Sequence, residues 1–142
     1  MYCVSLDPGE TTGVCLVREH FHPWKLEWLQ MGPKPHHLRL LQHLDMWKPT
    51  ILICESFDNR GNAAAKSASI EYIGVVKAYA QGANCTLVMQ SASIGKQFYT
   101  DGRLRKYGLY TPMRHARDAA RHYLYYRTFP LGDQGLLKQY EQ

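Results

Sequence analysis

The sequence predicts an α/β fold: a mixed five-stranded sheet, its first three strands antiparallel, flanked by helices. Three observations carry this reading. Three short strand-like runs open the chain, separated by turn-forming residues and by no helix-length segment. Two later apolar runs alternate with segments of helical periodicity, the pattern of buried strands joined by crossover helices. The 142 residues, 45% hydrophobic and 20% charged, suit one globular domain and argue against disorder.

The elements follow in order. Tyr2–Leu6 is an apolar run ending at Asp7, and residues 8–13 (Pro-Gly-Glu-Thr-Thr-Gly) form a turn by composition. Gly13–Arg18 is a second strand, and the alternation over Lys25–Met31 marks a third. After Pro33-Lys34-Pro35, helical spacing of Leu38, Leu41 and Leu44 or Met46 predicts a helix over His36–Trp47. Thr50–Cys54 reads as a central strand buried on both faces. Ala63–Gln81 is a long helix stopped by Gly82, and Thr86–Met89 is a fifth strand. Residues 91–110, rich in Ser and Gly and then basic, receive no element. Pro112–Arg127 is the last helix, with Pro near its first turn. Residues 1–127 are therefore read as the domain, and 128–142 as a mobile C-terminal tail.

The net charge is +5 and the pI about 9.1. Eight of the 17 Lys and Arg residues fall between Lys96 and Arg127, against two acids, Asp101 and Asp118. A polyanionic partner follows from that asymmetry. Cys3, Cys15, Cys54 and Cys85 have no CxxC spacing, and most lie in strand-like runs, so disulfides and zinc are not expected. The expectation is a reduced, cytoplasmic compartment, with no membrane span and no signal peptide.

Two of the predicted strands end in a carboxylate: Asp7 after Ser5-Leu6, and Glu55 after residues 51–54. His115 and Asp118 stand three apart in the last helix and project from one face. A carboxylate at the end of a buried strand needs compensation, and a divalent cation supplies it. The element order is that of the ribonuclease-H-like fold, whose first and fourth strands are neighbours about 4.8 Å apart. Asp7 and Glu55 then meet at the C-terminal sheet edge, where open α/β sheets bind ligands.

With these residues in view, the chain resembles the RuvC-like Holliday junction resolvases over residues 1 to about 127. The resemblance rests on Asp7-Pro8-Gly9 with Thr12-Gly13, on Glu55, and on the run from His115 to Asp118-Ala119. It implies a compact, phage-type member: a metal-dependent endonuclease that resolves four-way DNA junctions. Asp7, Glu55, His115 and Asp118 would hold Mg²⁺ or Mn²⁺, two ions per site, with His115 as ligand or general base. Lys96 would assist at the scissile phosphate. Phe57 would act as a junction wedge beside Arg60. Lys66, Arg103, Arg105, Lys106, Arg114, Arg117 and Arg121 would contact DNA. The helix over 63–81 carries two apolar stripes. Ala65, Ala68, Tyr72, Val75 and Tyr79 form one, and Ile73, Val76 and Ala80 the other, leaving one stripe for a homodimer partner.

Alternatives remain on the same residues: a flap or single-strand nuclease of this fold, or a non-catalytic nucleic-acid-binding module. Asp7-Pro8-Gly9 with Thr11, Thr12 and Gly13 also resembles the first phosphate loop of actin-like sugar kinases, but the chain leaves no room for their second domain. His20, His22, His36 and His37 lack metal-ligand spacing and are read as surface residues.

Overall fold

The computed structural model describes residues 2–56, 63–133 and 135–141, and of residues 63–66 only the backbone. β1 (Tyr2–Asp7), β2 (Thr12–Arg18) and β3 (Lys25–Met31) form an antiparallel meander. β4 (Ile51–Glu55) adds in parallel to the free side of β1, and β5 (Thr86–Gln90) in parallel to β4, giving the order β3-β2-β1-β4-β5. The connections are α1 (His37–Trp47) between β3 and β4 and α2 (Ala63–Ala83) between β4 and β5. α3 (Asp101–Lys106) and α4 (Arg114–Thr128) follow, and a 3₁₀ turn spans Leu136–Tyr140. This is the expected mixed α/β sheet of the ribonuclease-H-like type.

Both sheet faces are covered, so successive side chains of β1 enter different cores. Val4 and Leu6 join Val14, Leu16, Leu52 and Cys54 under α1 and α2. Cys3 joins Cys15, Val17 and Ile53 against Ala119, Ala120, Tyr123 and Leu124 of α4. A strand buried on both faces has no polar alternation, which is why β1, β2 and β4 read as near-continuous apolar runs. No described helix is long and apolar enough to cross a membrane.

Four local expectations are corrected. The core face of α1 is carried by Leu40 and Leu44, while Leu38, Leu41 and Met46 are exposed; the helix and its Leu44 position are as expected, and the rest of the predicted inward face is not. On α2, Tyr72, Ile73, Val76, Tyr79 and Ala80 are all buried in this domain's own core. From Ala68 onward the two predicted stripes are therefore one wide inward face, as a helix laid across a sheet and against α1 requires; the side chain of Ala65 lies outside the described residues. A glutamate at Ile73 or Val76 would strike the core rather than a partner. His36 is buried, not on the surface: it stacks on Tyr72 at 4.0 Å between ring centroids, Nδ1 donates to the Lys34 carbonyl at 2.8 Å, and Nε2 accepts from the Thr12 hydroxyl at 2.7 Å. His20 and His22 are exposed as expected, and His37 is half-buried beside the same tyrosine.

The fourth correction concerns the segment after α4. Leu136 is buried, the Trp24 amide donates to Gln139 Oε1 at 2.7 Å, and the Tyr140 hydroxyl donates to the Trp24 carbonyl at 2.6 Å. Residues 135–141 thus clamp the start of β3, supplying partners to a backbone that has no strand beyond it. α3 lies inside the stretch that received no element. It is short, and the Thr100 hydroxyl caps it by accepting from the Arg103 amide at 3.2 Å.

Candidate active site

Sheet register sets the site. Leu6 of β1 pairs with Cys54 of β4, and Glu55 pairs with Gln90 of β5, so Asp7, Glu55 and Gln90 end three adjacent strands side by side. The turn after Asp7 is pinned from two directions. The Gly9 amide donates to Thr12 Oγ1 at 3.3 Å, and Ser69 Oγ of α2 donates to the Pro8 carbonyl at 3.0 Å.

α4 crosses the sheet so that its first turn reaches Asp7. Gly13, opposite Asp7 in the β1–β2 pair, makes this approach possible: a Cβ there would lie 2.0 Å from the His115 carbonyl carbon. The Gln30 side chain of β3 accepts from the His115 amide at 3.0 Å, satisfying one of the open N–H groups of that turn. His115 Nδ1 then stands 3.1 Å from Asp7 Oδ2. We expect Gly13→Ala to force α4 off the sheet, to cost about 1–3 kcal/mol, and to separate His115 from Asp7. Thermal melting together with NMR of the His115 ring checks this; a variant as stable as the parent, with His115 still against Asp7, would contradict the packing argument.

Asp7, Glu55, Lys96, Arg114, His115 and Asp118 line one open cavity with Pro8 and Ser69. The structure therefore brings together all five residues that the sequence marks for catalysis. Burial pushes the Asp7 carboxyl up to about 7; the Glu55 charge adds to the rise and the hydrogen bond to His115 opposes it. Burial acts to raise Glu55 as well, but hydrogen bonds to His122 and Asp7, with the charge of Lys96, hold it below the ordinary carboxylate range. The hydrogen bond to Asp7 raises His115, against the opposing effect of burial.

Two carboxyls this close, one of them driven towards its protonated form, make a site in want of positive charge. Asp7, Glu55 and Asp118 offer hard oxygen donors and His115 a nitrogen, a set that fits Mg²⁺ or Mn²⁺. Among the described residues, however, no three His, Cys, Asp or Glu side chains are drawn up tightly enough to enclose an ion. Asp118 in particular is turned onto Arg121, whose Nη1 donates to its Oδ1 at 2.8 Å.

The arginine stripe of α4 is corrected on this point. Arg121 is buried, bonded to Asp118 and Asp101 and, through Nε, to the Tyr99 carbonyl at 2.6 Å. Arg117 ties α4 to the preceding loop: its Nη1 donates to the Thr111 carbonyl at 3.1 Å and the Tyr110 hydroxyl at 3.2 Å, and Asp101 lies 3.1 Å from its Nε. Spacing of three and four put these arginines on one face; there Arg117 and Arg121 are tied to the loop and α3, and with Lys96 and Arg114 they line a second open cavity beside Asp118. Arg114 and Lys96 are exposed at the cavity mouth. On α3, Arg105 and Lys106 are exposed over the rings of Tyr110 and Tyr107, and Arg103 lies half-buried over Phe98. Phe57 and Arg60 lie outside the described residues, as does the side chain of Lys66.

Three contributors escaped the sequence reading. Gln30 gave no signal, since a cap from a distant strand has no local pattern. The role of Gly13 in helix docking is a tertiary fact. His122, which meets Glu55 from behind, did carry a signal: it lies four residues past Asp118 and seven past His115, on the same helical face.

Fold and site together define a ribonuclease-H-like domain with a carboxylate–histidine cluster at the C-terminal edge of its central strands. Solved structures share this fold along nearly the whole chain. RuvC of Thermus thermophilus in complex with a Holliday junction substrate is 17% identical, with TM-score 0.71, covering 94% of this chain and 97% of that one. A second T. thermophilus RuvC structure is 20% identical, with TM-score 0.64 and coverage of 93% and 97%. The Fowlpox virus resolvase, in complex with Holliday junction DNA, is 15% identical, with TM-score 0.61 and coverage of 93% and 98%. The RuvC-like resemblance of the sequence is thus met at the level of fold. No protein-family model and no curated protein sequence matches the chain.

Proposed function

We propose that this chain is a divalent-metal-dependent endonuclease that cuts branched DNA, resolving four-way junctions as a crossover junction endodeoxyribonuclease. One observation carries the reading: Asp7, Glu55, Lys96, His115 and Asp118, from four separate parts of the sequence, line one cavity. Asp7, Glu55, Asp118 and His115 would hold the ions, Mg²⁺ or Mn²⁺, two per site. When bound, such ions activate a water and stabilise the leaving oxygen of a phosphodiester.

The chain's own residues supply the rest. His115, held by Asp7 through Nδ1, offers its Nε2 either as a ligand to an ion or, where no ion takes it, as a proton acceptor. Lys96 and Arg114 present positive charge at the rim, offsetting the repulsion between an acidic site and a phosphate backbone. Arg105 and Lys106 extend that charge along α3 and suit phosphate contacts, which position a duplex without reading its sequence. Paired nicks call for two copies related by a two-fold axis. Since the inward face of α2 is taken by the core, the pairing surface would be its outer face, where Ile70, Gly74 and Ala78 are exposed.

The test compares cleavage of four-way junction, flap, single-stranded and duplex DNA with Mg²⁺, Mn²⁺ and EDTA, alongside light scattering. The expected result is metal-dependent, paired cutting of junctions by a dimer. Preferential flap cutting by a monomer would replace this reading with a single-site flap nuclease. Junction binding without cutting under any metal would make the chain a non-catalytic binding module.

A further inference from the structure

Behind the cavity, a second layer of side chains holds Glu55. His122 is buried, 1% exposed. Its Nε2 lies 3.0 Å from Glu55 Oε2, and its Nδ1 lies 3.0 Å from Gln90 Oε1. Gln90 is itself buried, at the end of β5 beside Glu55, and its Nε2 has no hydrogen-bond partner among the described residues. His122 does not line the cavity, so its ring meets Glu55 from the side away from solvent.

The hydrogen-bond balance of these three groups is informative. Glu55 Oε2 is an acceptor, so His122 Nε2 must carry the hydrogen between them. With the Gln90 amide turned over, a change that leaves its shape the same, the orphaned Nε2 donates to His122 Nδ1. Every short contact in the row then has one donor and one acceptor: Gln90 Nε2–H to His122 Nδ1, and His122 Nε2–H to Glu55 Oε2. We propose that Gln90 and His122 form a positioning relay that holds Glu55 in one rotamer, with one oxygen tied back and the carboxylate kept beside Asp7, where a cation would replace their shared hydrogen bond. His122 is a positioning residue here and touches no reacting atom.

The inference rests on the reading of Glu55 as a metal ligand and deepens it. A carboxylate at a strand end has free rotamers and, next to Asp7, a reason to turn away from it. Tying one oxygen to a buried ring removes that freedom before any ion arrives. Partners of this kind behind metal ligands typically change metal affinity about 10- to 100-fold. Packing alone would ask only for a side chain of this size at 122; the relay asks for an N–H aimed at Glu55.

The experiment separates these. Mn²⁺ is titrated calorimetrically into the parent protein, His122→Leu and His122→Gln, with thermal melts of each. Leucine fills the space without a donor, whereas glutamine can return an N–H to Glu55. The relay predicts Mn²⁺ binding weakened about 10- to 100-fold in His122→Leu and recovered in part by His122→Gln. Parent-like binding in His122→Leu, or equal weakening in both variants, would overturn it. A parent protein that binds no Mn²⁺ would instead sink the metal-site reading. A second measurement needs neither metal nor variant folding. Nitrogen-15 NMR of the parent histidines should find a hydrogen on His122 Nε2, with Nδ1 accepting. A His122 whose Nε2 bears no hydrogen overturns the relay even if the metal reading stands.

Discussion

Asp7→Asn is expected to abolish metal-dependent cleavage and, at the same time, to make the metal-free protein more stable. The two effects share one cause. The Asp7 carboxyl, ordinarily at 3.8, is pushed up to about 7 by burial first and by the Glu55 charge, against the hydrogen bond to His115. Between those values the folded chain keeps a proton that the unfolded chain releases, so stability falls as pH rises through that window. Below about pH 4 the penalty is absent, and above about 7 it is fully present. A shift of that size corresponds to a few kcal/mol, at about 1.4 kcal/mol per pH unit. Asparagine carries no charge and escapes the penalty. Melting curves of parent and variant without metal should therefore coincide near pH 4 and separate, the variant melting higher, by pH 7–8. Mg²⁺ should raise the melting temperature of the parent and not of the variant, since only an ion bound to the folded state stabilises it. A variant that melts below the parent at pH 8, or that still cuts, would remove Asp7 from the centre of the site.

Arg121→Ala is expected to be strongly destabilising, by about 3–5 kcal/mol. Arg121 is 8% exposed, and its guanidinium joins Asp118, Asp101 and the Tyr99 carbonyl. Removing it leaves the Asp118 carboxylate buried and uncompensated, and unties α3 from α4. For a chain of this size that corresponds to a drop of roughly 10–17 °C in melting temperature. The contrast with Arg105 makes the experiment decisive. An exposed phosphate contact should leave the melting temperature alone and lower the salt-dependence slope of DNA binding by about 0.9. For Arg121 the melting temperature should fall, with the salt slope of the folded fraction unchanged. A variant that melts like the parent and binds DNA with a shallower slope would return Arg121 to the interface where its spacing first suggested it belonged.

Much of this architecture was legible before any coordinates. The strand runs, the alternation of strand and helix after residue 50, and the carboxylates of Asp7 and Glu55 at strand ends are local signals. They depend on residue type and on periods of two and 3.6. The His115/Asp118 pair was legible because spacing along one helix determines which side chains share a face. The order of these elements matched the ribonuclease-H-like fold, and from that likeness came the pairing of the first and fourth strands and the meeting of Asp7 and Glu55; the register now shows both at one sheet edge.

The rest belongs to packing between distant segments. The same spacing that put His115 and Asp118 on one face put Arg117 and Arg121 on another, and nothing local says which face meets solvent. α3 and the preceding loop decided that by covering the arginines. The apolar width of α2 was visible, but whether it served one core or a core and a partner depended on where α1 lay against it. His36 looked like a surface histidine until Tyr72, 36 residues away, supplied a hydroxyl to its amide and a ring to stack on. Composition and periodicity therefore determined the five strands, the three long helices and the candidate acidic residues, since each depends on neighbours within a few residues, while α3 and the ordered segment after α4 gave no such signal. Only the tertiary structure decided which charged groups are spent inside the fold. A charge buried with its partners and a charge held out to DNA look alike in sequence; they differ only in what the rest of the chain brings against them.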